Sequence, residues 1–350
     1  MNTYLYAPKD DPYHRERWRE PYPKDEWRAI SNLIRAAQDQ RIDFVYGFHP
    51  GQGLRFSAAE PVQILLEKAA RFYDAGVRTF AVLFDDIPSL LTHEEDRKYY
   101  NGSLARAEGA WLEKILELQP ASWKKMEWWI CPSRYTDHPQ LAHMFGAFEP
   151  RFWGTLARHL PDSVACLWTG PAIVPRKISL THARNAARQM RHPLILWDNY
   201  PINDLSMSDE MHLAPLTGRD SRLPEVVYGY LNNPLMQESL SFLPLATCFD
   251  YAADPAAYDS DESWTGAARE LFGSSAVPHW RAILDFCERM NRSKRGKRPP
   301  APLAPRRLRA LQDAHRYLLR NRGRRWFEEF RPWLARLESE LAQCALIELG

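Results

Sequence analysis

The sequence lacks the cysteine and histidine patterns that are typical of proteins stabilised by disulfide bonds or by bound zinc. Its five cysteines are odd in number and widely spaced, and they include no Cys-x-x-Cys pair, unlike disulfide frameworks and structural zinc sites. The 11 histidines form no His-x-His or His-Glu-x-x-His motif, so a catalytic zinc centre is not indicated either. We therefore expect no metal, no cofactor and a reducing, cytoplasmic environment.

The sequence also lacks a long apolar run and a strong net charge. It has no apolar run of the roughly 18 residues that a transmembrane helix requires, so we expect no membrane partner. Its 46 basic residues nearly balance 44 acidic ones, which does not indicate a nucleic-acid-binding protein. The exception is residues 292–307, which are basic and proline-rich and which we interpret as an exposed linker. Whether the chain forms a homodimer is left open.

Short apolar runs alternate with amphipathic helical segments as far as about residue 250. This alternation predicts an α/β fold with parallel strands and crossover helices, and the number of repeats favours a (β/α)8 TIM barrel. Residues 1–250 would form this catalytic domain, and residues 251–350 a helical C-terminal domain. The apolar runs give seven of the eight strands: 3–6, 43–48, 79–84, 127–130, 164–168, 194–197 and 226–231. Because the chain opens directly in a strand, we expect the missing one to be the first, upstream of Met1.

The most informative motif is an acidic pair, Asp85 and Asp86, directly after the apolar run 80–84. Such a run indicates a strand that is buried on both faces. Two adjacent carboxylates repel each other, so one should hold a proton near neutral pH. A neutral acid beside an anion is what glycoside hydrolysis needs. The plainer alternative is that the two aspartates cap the next segment.

Residues 80–87, with the sequence FAVLFDDI, resemble the catalytic motif of glycoside hydrolase family 84. That family comprises the O-GlcNAcases and related β-N-acetylglucosaminidases, some of them described as hyaluronidases. The resemblance covers residues 1 to about 250. Five further segments match in the same order: NTYLYAPKDD at 2–11, ICPSRY at 130–135, LWTGP at 167–171, LWDNYPIND at 196–204 and LNNP at 231–234.

The resemblance implies a retaining exo-β-N-acetylglucosaminidase that uses substrate-assisted catalysis. Asp86 would be the general acid and later the base, and Asp85 would polarise the 2-acetamido group that attacks the anomeric carbon to form an oxazoline. The substrate would be a protein or glycan that bears N-acetylglucosamine (GlcNAc). By the same resemblance, further residues would bind the sugar: Cys131, Tyr135 and Trp197 around the N-acetyl group, Asn199 near it, and Lys9, Asp204 and Asn233 at the ring hydroxyls.

Two other functions stay open at this point. The family's first strand ends in a glycine-rich segment that contacts the sugar, and no such segment precedes Asn2. The chain could therefore be a non-catalytic protein that binds GlcNAc-bearing glycans. A metal-dependent hydrolase that uses Asp85, Asp86 and Asp198 is a further alternative, because hard cations favour carboxylate ligands; the absence of histidine motifs argues against it.

Overall fold

Seven parallel strands form one sheet in the computed structural model, which describes residues 1–51, 53–296 and 303–349. The strands lie in chain order from β1 to β7, and each of the first five pairs in parallel with its successor. The predicted strands are thus confirmed, with ends that shift by about one residue. Their bounds are β1 Thr3–Tyr6, β2 Asp43–Phe48, β3 Thr79–Leu83, β4 Glu127–Cys131, β5 Ala165–Trp168, β6 Leu194–Asp198 and β7 Val227–Asn232.

Helices connect the strands, as parallel pairing requires. Ser179 caps α7, because its hydroxyl accepts a hydrogen bond from the His182 backbone N–H. The helices are α1 Lys24–Asp39, α2 Glu60–Asp74, α3 Glu94–Tyr99, α4 Leu104–Leu118, α5 Pro139–Phe145, α6 Phe152–Leu156, α7 Leu180–Met190, α8 Glu238–Ala253, α9 Ser260–Phe272, α10 Val277–Gly296, α11 Pro305–Arg320 and α12 Arg325–Leu349.

The strands turn alternate side chains to two apolar layers. Odd-numbered residues such as Val45, Ala81 and Leu83 share one buried cluster with side chains from β4, β5 and β6. Even-numbered residues face the helices; Phe84, for example, packs edge-on against Trp111 of α4. This two-residue period is the one expected of strands covered on both faces. The Tyr228 side chain on β7 lies close enough to Glu127 on β4, three strands away, for the Glu127 charge to raise the pKa of the phenol, so the sheet is curved like a barrel wall.

The chain divides into two units. The first comprises residues 1–197 and 223–231 and holds the curved sheet; the second comprises residues 198–222 and 232–350 and is mainly helical. The second unit has its own core, in which Trp264, Trp280 and Phe330 are almost completely buried. The prediction of a helical C-terminal region is therefore confirmed, while the boundary at residue 250 stays a prediction.

The basic segment at 292–307 is helical at both of its ends. Helix α10 extends through Gly296, so the first five residues of this segment are helical, and α11 begins within it at Pro305. Residues 297–302 lie outside the described part of the chain. Among the helices that the structure describes, none is long and apolar enough to cross a membrane.

Candidate active site

The acidic pair lies at the carboxyl end of β3, where the inward and outward alternation of that strand is broken. Ala81 and Leu83 face the inner cluster, so the two-residue period carries Asp85 to the same side. Asp86 would point the opposite way in a regular strand, but its φ of 59° is left-handed. That conformation costs a non-glycine residue about 1–2 kcal/mol. It re-aims the side chain, and Asp86 Oδ1 accepts a hydrogen bond of 2.9 Å from the hydroxyl of Tyr135, a member of the inner cluster.

The two carboxyl groups of the pair have different surroundings. Burial, followed by the charge of Asp85, raises the pKa of Asp86, whereas the Tyr135 hydrogen bond and the positive charges of Lys9 and Arg15 act in the opposite direction. Asp85 Oδ1 is buried and has no hydrogen-bond partner among the described residues. A buried carboxylate oxygen normally has a donor, so this oxygen is suited to accept an N–H group from a bound molecule.

The loop after β4 fixes the position of Tyr135. Each residue from 133 to 136 is bonded to another element of the first unit, so the loop has little freedom to move the hydroxyl away from Asp86. The bonds are Ser133 N–H to Glu108, Trp153 Nε1–H to the Arg134 carbonyl, Thr169 N–H to the Tyr135 carbonyl, and the Thr136 hydroxyl to the Gly170 carbonyl. Burial and the nearby Asp86 charge raise the pKa of Tyr135, so the phenol stays a donor.

Three further predicted residues lie in the same unit. The Cys131 side chain is buried in the inner cluster, and burial, followed by the charges of Asp85 and Asp86, raises the pKa of its thiol. The thiol is therefore neutral; it packs in the inner cluster and does not act as a thiolate nucleophile. Trp197 packs against the same cluster. Lys9 is exposed and contributes a positive charge at Asp86.

The loop that carries Lys9 and Arg15 is fastened by a buried lysine that the sequence did not reveal. The Lys68 ammonium group donates to three backbone carbonyls of this loop, those of Tyr13, Trp18 and Glu20, at 2.6, 3.0 and 2.9 Å. Its burial lowers the pKa of Lys68 to about 8. Since all three of its N–H donors are used on backbone carbonyls, Lys68 holds the loop in place.

The remaining predicted residues belong to the second unit. Asn233 and Asn199 come together, because the Asn233 amide donates to Asn199 Oδ1 at 2.6 Å. Asp204 precedes a short 3-10 turn and accepts a bond from Met207 N–H at its carbonyl. Asp198, the third carboxylate of the metal alternative, uses both oxygens on Arg219 at 2.6 and 2.7 Å. The described residues contain no group of three side chains that could hold a metal ion.

Sequence reasoning gave no role to Arg15 and His49. The His49 ring lies beside the acidic pair, with Nε2 at 2.9 Å from the backbone carbonyl of Asp85 and 3.2 Å from Arg15 Nη2. The sequence does place His49 directly after the apolar run of β2, as it places Asp85 close after that of β3, and this position could have indicated a role in the site. In barrels of parallel strands the side chains at these ends build the active site.

Comparisons with known proteins show which proteins this chain is similar to. The family model described as NAGidase, beta-N-acetylglucosaminidase, matches residues 1–285. The Protein O-GlcNAcase of Rattus norvegicus and that of Mus musculus are each 29% identical to this chain over 252 residues. These residues make up 71% of this chain and 26% of each relative. The chain thus spans about a quarter of the length of the curated relatives that it matches.

Solved structures show the same fold. A mutant of the Thermobaculum terrenum O-GlcNAc hydrolase superposes with a TM-score of 0.83 at 28% identity, over 97% of this chain and 75% of the other. The structure of CpGH84B superposes with a TM-score of 0.77 at 24% identity, over 99% and 64% of the two chains. The second likeness bears on the fold alone.

Proposed function

The chain belongs to the beta-N-acetylglucosaminidase family of glycoside hydrolases, and from that premise we propose that it is a retaining exo-β-N-acetylglucosaminidase with substrate-assisted catalysis. The proposal rests on the different surroundings of the two carboxyl groups in the acidic pair. The pKa of Asp86 is raised, as a general acid needs. Its neighbour Asp85 has a buried oxygen without a partner among the described residues, as a group that accepts an acetamide N–H needs.

The proposed first step breaks the glycosidic bond without an enzyme nucleophile. Asp86 gives its proton to the glycosidic oxygen while the bond from that oxygen to the anomeric carbon breaks. The carbonyl oxygen of the substrate's acetamide forms a new bond to the same carbon, and the product is a protonated oxazoline ring that keeps its N–H. Asp85 accepts the acetamide N–H and stabilises the positive charge that develops on the group. Tyr135 stabilises the Asp86 carboxylate that this step creates.

The second step restores the sugar. Asp86, now a carboxylate, removes a proton from water, the water oxygen bonds to the anomeric carbon, and the oxazoline opens to the acetamide. Two displacements at one carbon retain the β configuration. An enzyme nucleophile and an acid commonly flank the bond from different elements, whereas two adjacent residues approach one sugar from the same strand end. Their adjacency therefore supports a reaction in which the substrate supplies the nucleophile.

We extend the proposal to the sugar-binding residues and to the substrate class. Cys131, Tyr135 and Trp197 belong to the inner cluster or pack on it, which supports a role around the apolar N-acetyl methyl. For Asn199, Asp204 and Asn233, together with Lys9, the family resemblance is the basis of the proposed hydroxyl contacts. The relatives are named for O-GlcNAc, and we propose GlcNAc on proteins or glycoconjugates as the substrate. The five free cysteines support a reducing, cytoplasmic setting.

A pair of substrates tests the proposal. The purified chain should hydrolyse a 4-nitrophenyl 2-acetamido-2-deoxy-β-glucoside, and it should leave the matching 2-hydroxy glucoside almost untouched. Equal turnover of both substrates would refute acetamide participation. Measurable binding of GlcNAc by calorimetry without any turnover would instead identify a non-catalytic binding protein.

A further inference from the structure

The His49 side chain is nearly enclosed next to the acidic pair. It is 4% exposed and follows β2 at the end of the sheet where Asp85 follows β3. Its backbone N–H donates to the carbonyl of His14 at 3.3 Å, and its Nε2 contacts both the Asp85 carbonyl, at 2.9 Å, and Arg15 Nη2, at 3.2 Å. The ring therefore touches the backbone that carries the two carboxylates.

The contacts assign the proton of this imidazole. A carbonyl oxygen can only accept, a guanidinium can only donate, and one ring nitrogen of neutral histidine cannot do both. The shorter contact, to the Asp85 carbonyl, lies at the usual N–H···O distance, so we assign the hydrogen to Nε2, which donates it to that carbonyl. With this assignment the longer approach of Arg15 Nη2 to Nε2 is a close contact between two donors and not a hydrogen bond. Nδ1 is then the lone-pair nitrogen; it is buried and has no partner among the described residues.

The carbonyl that His49 binds belongs to the peptide group between Asp85 and Asp86. Because a peptide group is rigid, its rotation changes ψ of Asp85 and φ of Asp86 together. Asp86 is held in the left-handed region, with φ of 59°, which an aspartate leaves readily unless its surroundings hold it there. Rotation of this peptide would break the His49 bond and would turn Asp86 away from Tyr135.

We infer that His49 is a positioning residue for the acidic pair: its Nε2–H bond to the Asp85 carbonyl holds the peptide between the two aspartates in the orientation that aims both carboxylates at one place. The inference rests on the proposed function for its catalytic meaning. The His49 side chain acts through the backbone of Asp85 and takes no part in proton transfer.

Two substitutions at His49 separate the hydrogen bond from the volume of the ring. In His49→Gln the amide nitrogen takes the place of Nε2 and keeps the donor, whereas His49→Met fills similar space without one. With an unactivated GlcNAc glycoside, kcat of His49→Met should fall about ten- to hundredfold, as for other losses of positioning, while KM stays within about threefold. His49→Gln should recover kcat to within about fivefold of the wild type.

His14 offers a matched control. It is 1% exposed, stacks edge-on against His49, and donates Nδ1–H to the Gly47 carbonyl at 2.9 Å, away from the acidic pair. His14→Met should lower the melting temperature as much as His49→Met and leave kcat within about threefold of the wild type. An equal loss of kcat in both variants would show a general packing effect and would overturn the inference.

A crystal structure of His49→Met gives a readout besides activity. It should show the rotated peptide, with a negative φ at Asp86 and the bond to Tyr135 lost. An unchanged peptide with wild-type kcat would overturn the role of His49. Asp86→Asn, assayed in parallel, keeps the two claims apart. Its full activity would refute the proposed function, whereas its collapse beside an unaffected His49→Met would refute the positioning role alone.

Discussion

The hydroxyl of Tyr135, on the loop after β4, donates to Oδ1 of Asp86, beyond the end of β3, at 2.9 Å. This bond connects two neighbouring strand ends at the point where the left-handed backbone of Asp86 turns its carboxyl group inward. It stabilises the ionised form of Asp86 and so opposes the rise in pKa caused by burial and by Asp85. The bond therefore adjusts the acid strength of Asp86 as well as its position.

Tyr135→Phe should weaken catalysis and shift its pH dependence. Loss of the donor should raise the pKa of Asp86 further, so the high-pH limb of kcat/KM, where the acid loses its proton, should move to higher pH. We expect kcat/KM below that limb to fall roughly tenfold, the size of one hydrogen bond to a charged group. Tyr99→Phe, at an exposed tyrosine, is the control. A limb that stays in place would refute the assigned contact.

Asp86→Asn should remove general acid catalysis and leave the fold intact. For a glycoside with a poor leaving group, kcat should fall about 10²- to 10⁴-fold. For a 2,4-dinitrophenyl glycoside, whose leaving group needs no proton, the loss should be much smaller. Circular dichroism and the melting temperature should match the wild type. Equal losses on both substrates would show that Asp86 does not act as the acid.

We expect the free energy of unfolding to fall as the pH rises, because Glu108 is protonated in the folded protein. Its side chain is fully buried in α4, and burial raises its pKa to about 8 from an ordinary value of 4.5. The folded protein keeps this proton while the unfolded chain loses it, so the stabilisation is complete below pH 4.5 and is lost towards about pH 8. The total is roughly 5 kcal/mol at 1.36 kcal/mol per unit.

Glu108→Gln should abolish this slope. Its urea midpoint should be similar to that of the wild type at pH 5 and higher at pH 8.5. Glu113, on the same helix, is exposed, and Glu113→Gln should keep the wild-type dependence. If Glu108→Gln and the wild type lose stability in parallel across this range, Glu108 is not protonated in the folded protein.

The ion pair between Asp198 and Arg219 bears on the choice between a metal-independent glycosidase and a metal-dependent hydrolase. Both side chains are buried, and both carboxylate oxygens are bound by the guanidinium. Asp198→Asn should therefore lower the free energy of unfolding by about 3–5 kcal/mol, because it leaves a buried charge without its partner.

Excess EDTA should leave hydrolysis unchanged. Loss of activity in EDTA that Mg²⁺ restores would support the metal-dependent hydrolase.

The sheet was predictable because its inner strands, β2 to β6, are covered on both faces. Such strands are continuous apolar runs that end at polar residues, as at Phe84 and Asp85, so their limits are visible in the sequence. Helix α8 is hard to predict from the sequence, because it contains Pro244 and is apolar around most of its surface, so its residues show no helical period. Helices α3 and α5 have six and seven residues, too few to show one.

The sequence indicates the residue types of the candidate site but not its backbone conformation. The acidic pair could be found because two carboxylates at the exit of a buried strand are unusual. The left-handed φ of Asp86 could not be found, since aspartate adopts that region more often than most residues but still at only a small share of its positions. The bond from His49 to Asp85 joins residues 36 positions apart through a backbone carbonyl. No pattern of side-chain types records such a contact.

The most direct test of the central claim varies the substrate's own nucleophile. We would measure kcat/KM for aryl β-glycosides whose 2-acetamido group carries zero, one, two or three fluorine atoms on its methyl carbon. Fluorine withdraws electrons from the carbonyl oxygen, so kcat/KM should fall with each fluorine that is added, and the slope should be the same at every pH below the Asp86 limb. A kcat/KM that is independent of fluorination would show that the acetamide does not attack and would contradict the roles assigned to Asp85 and Asp86.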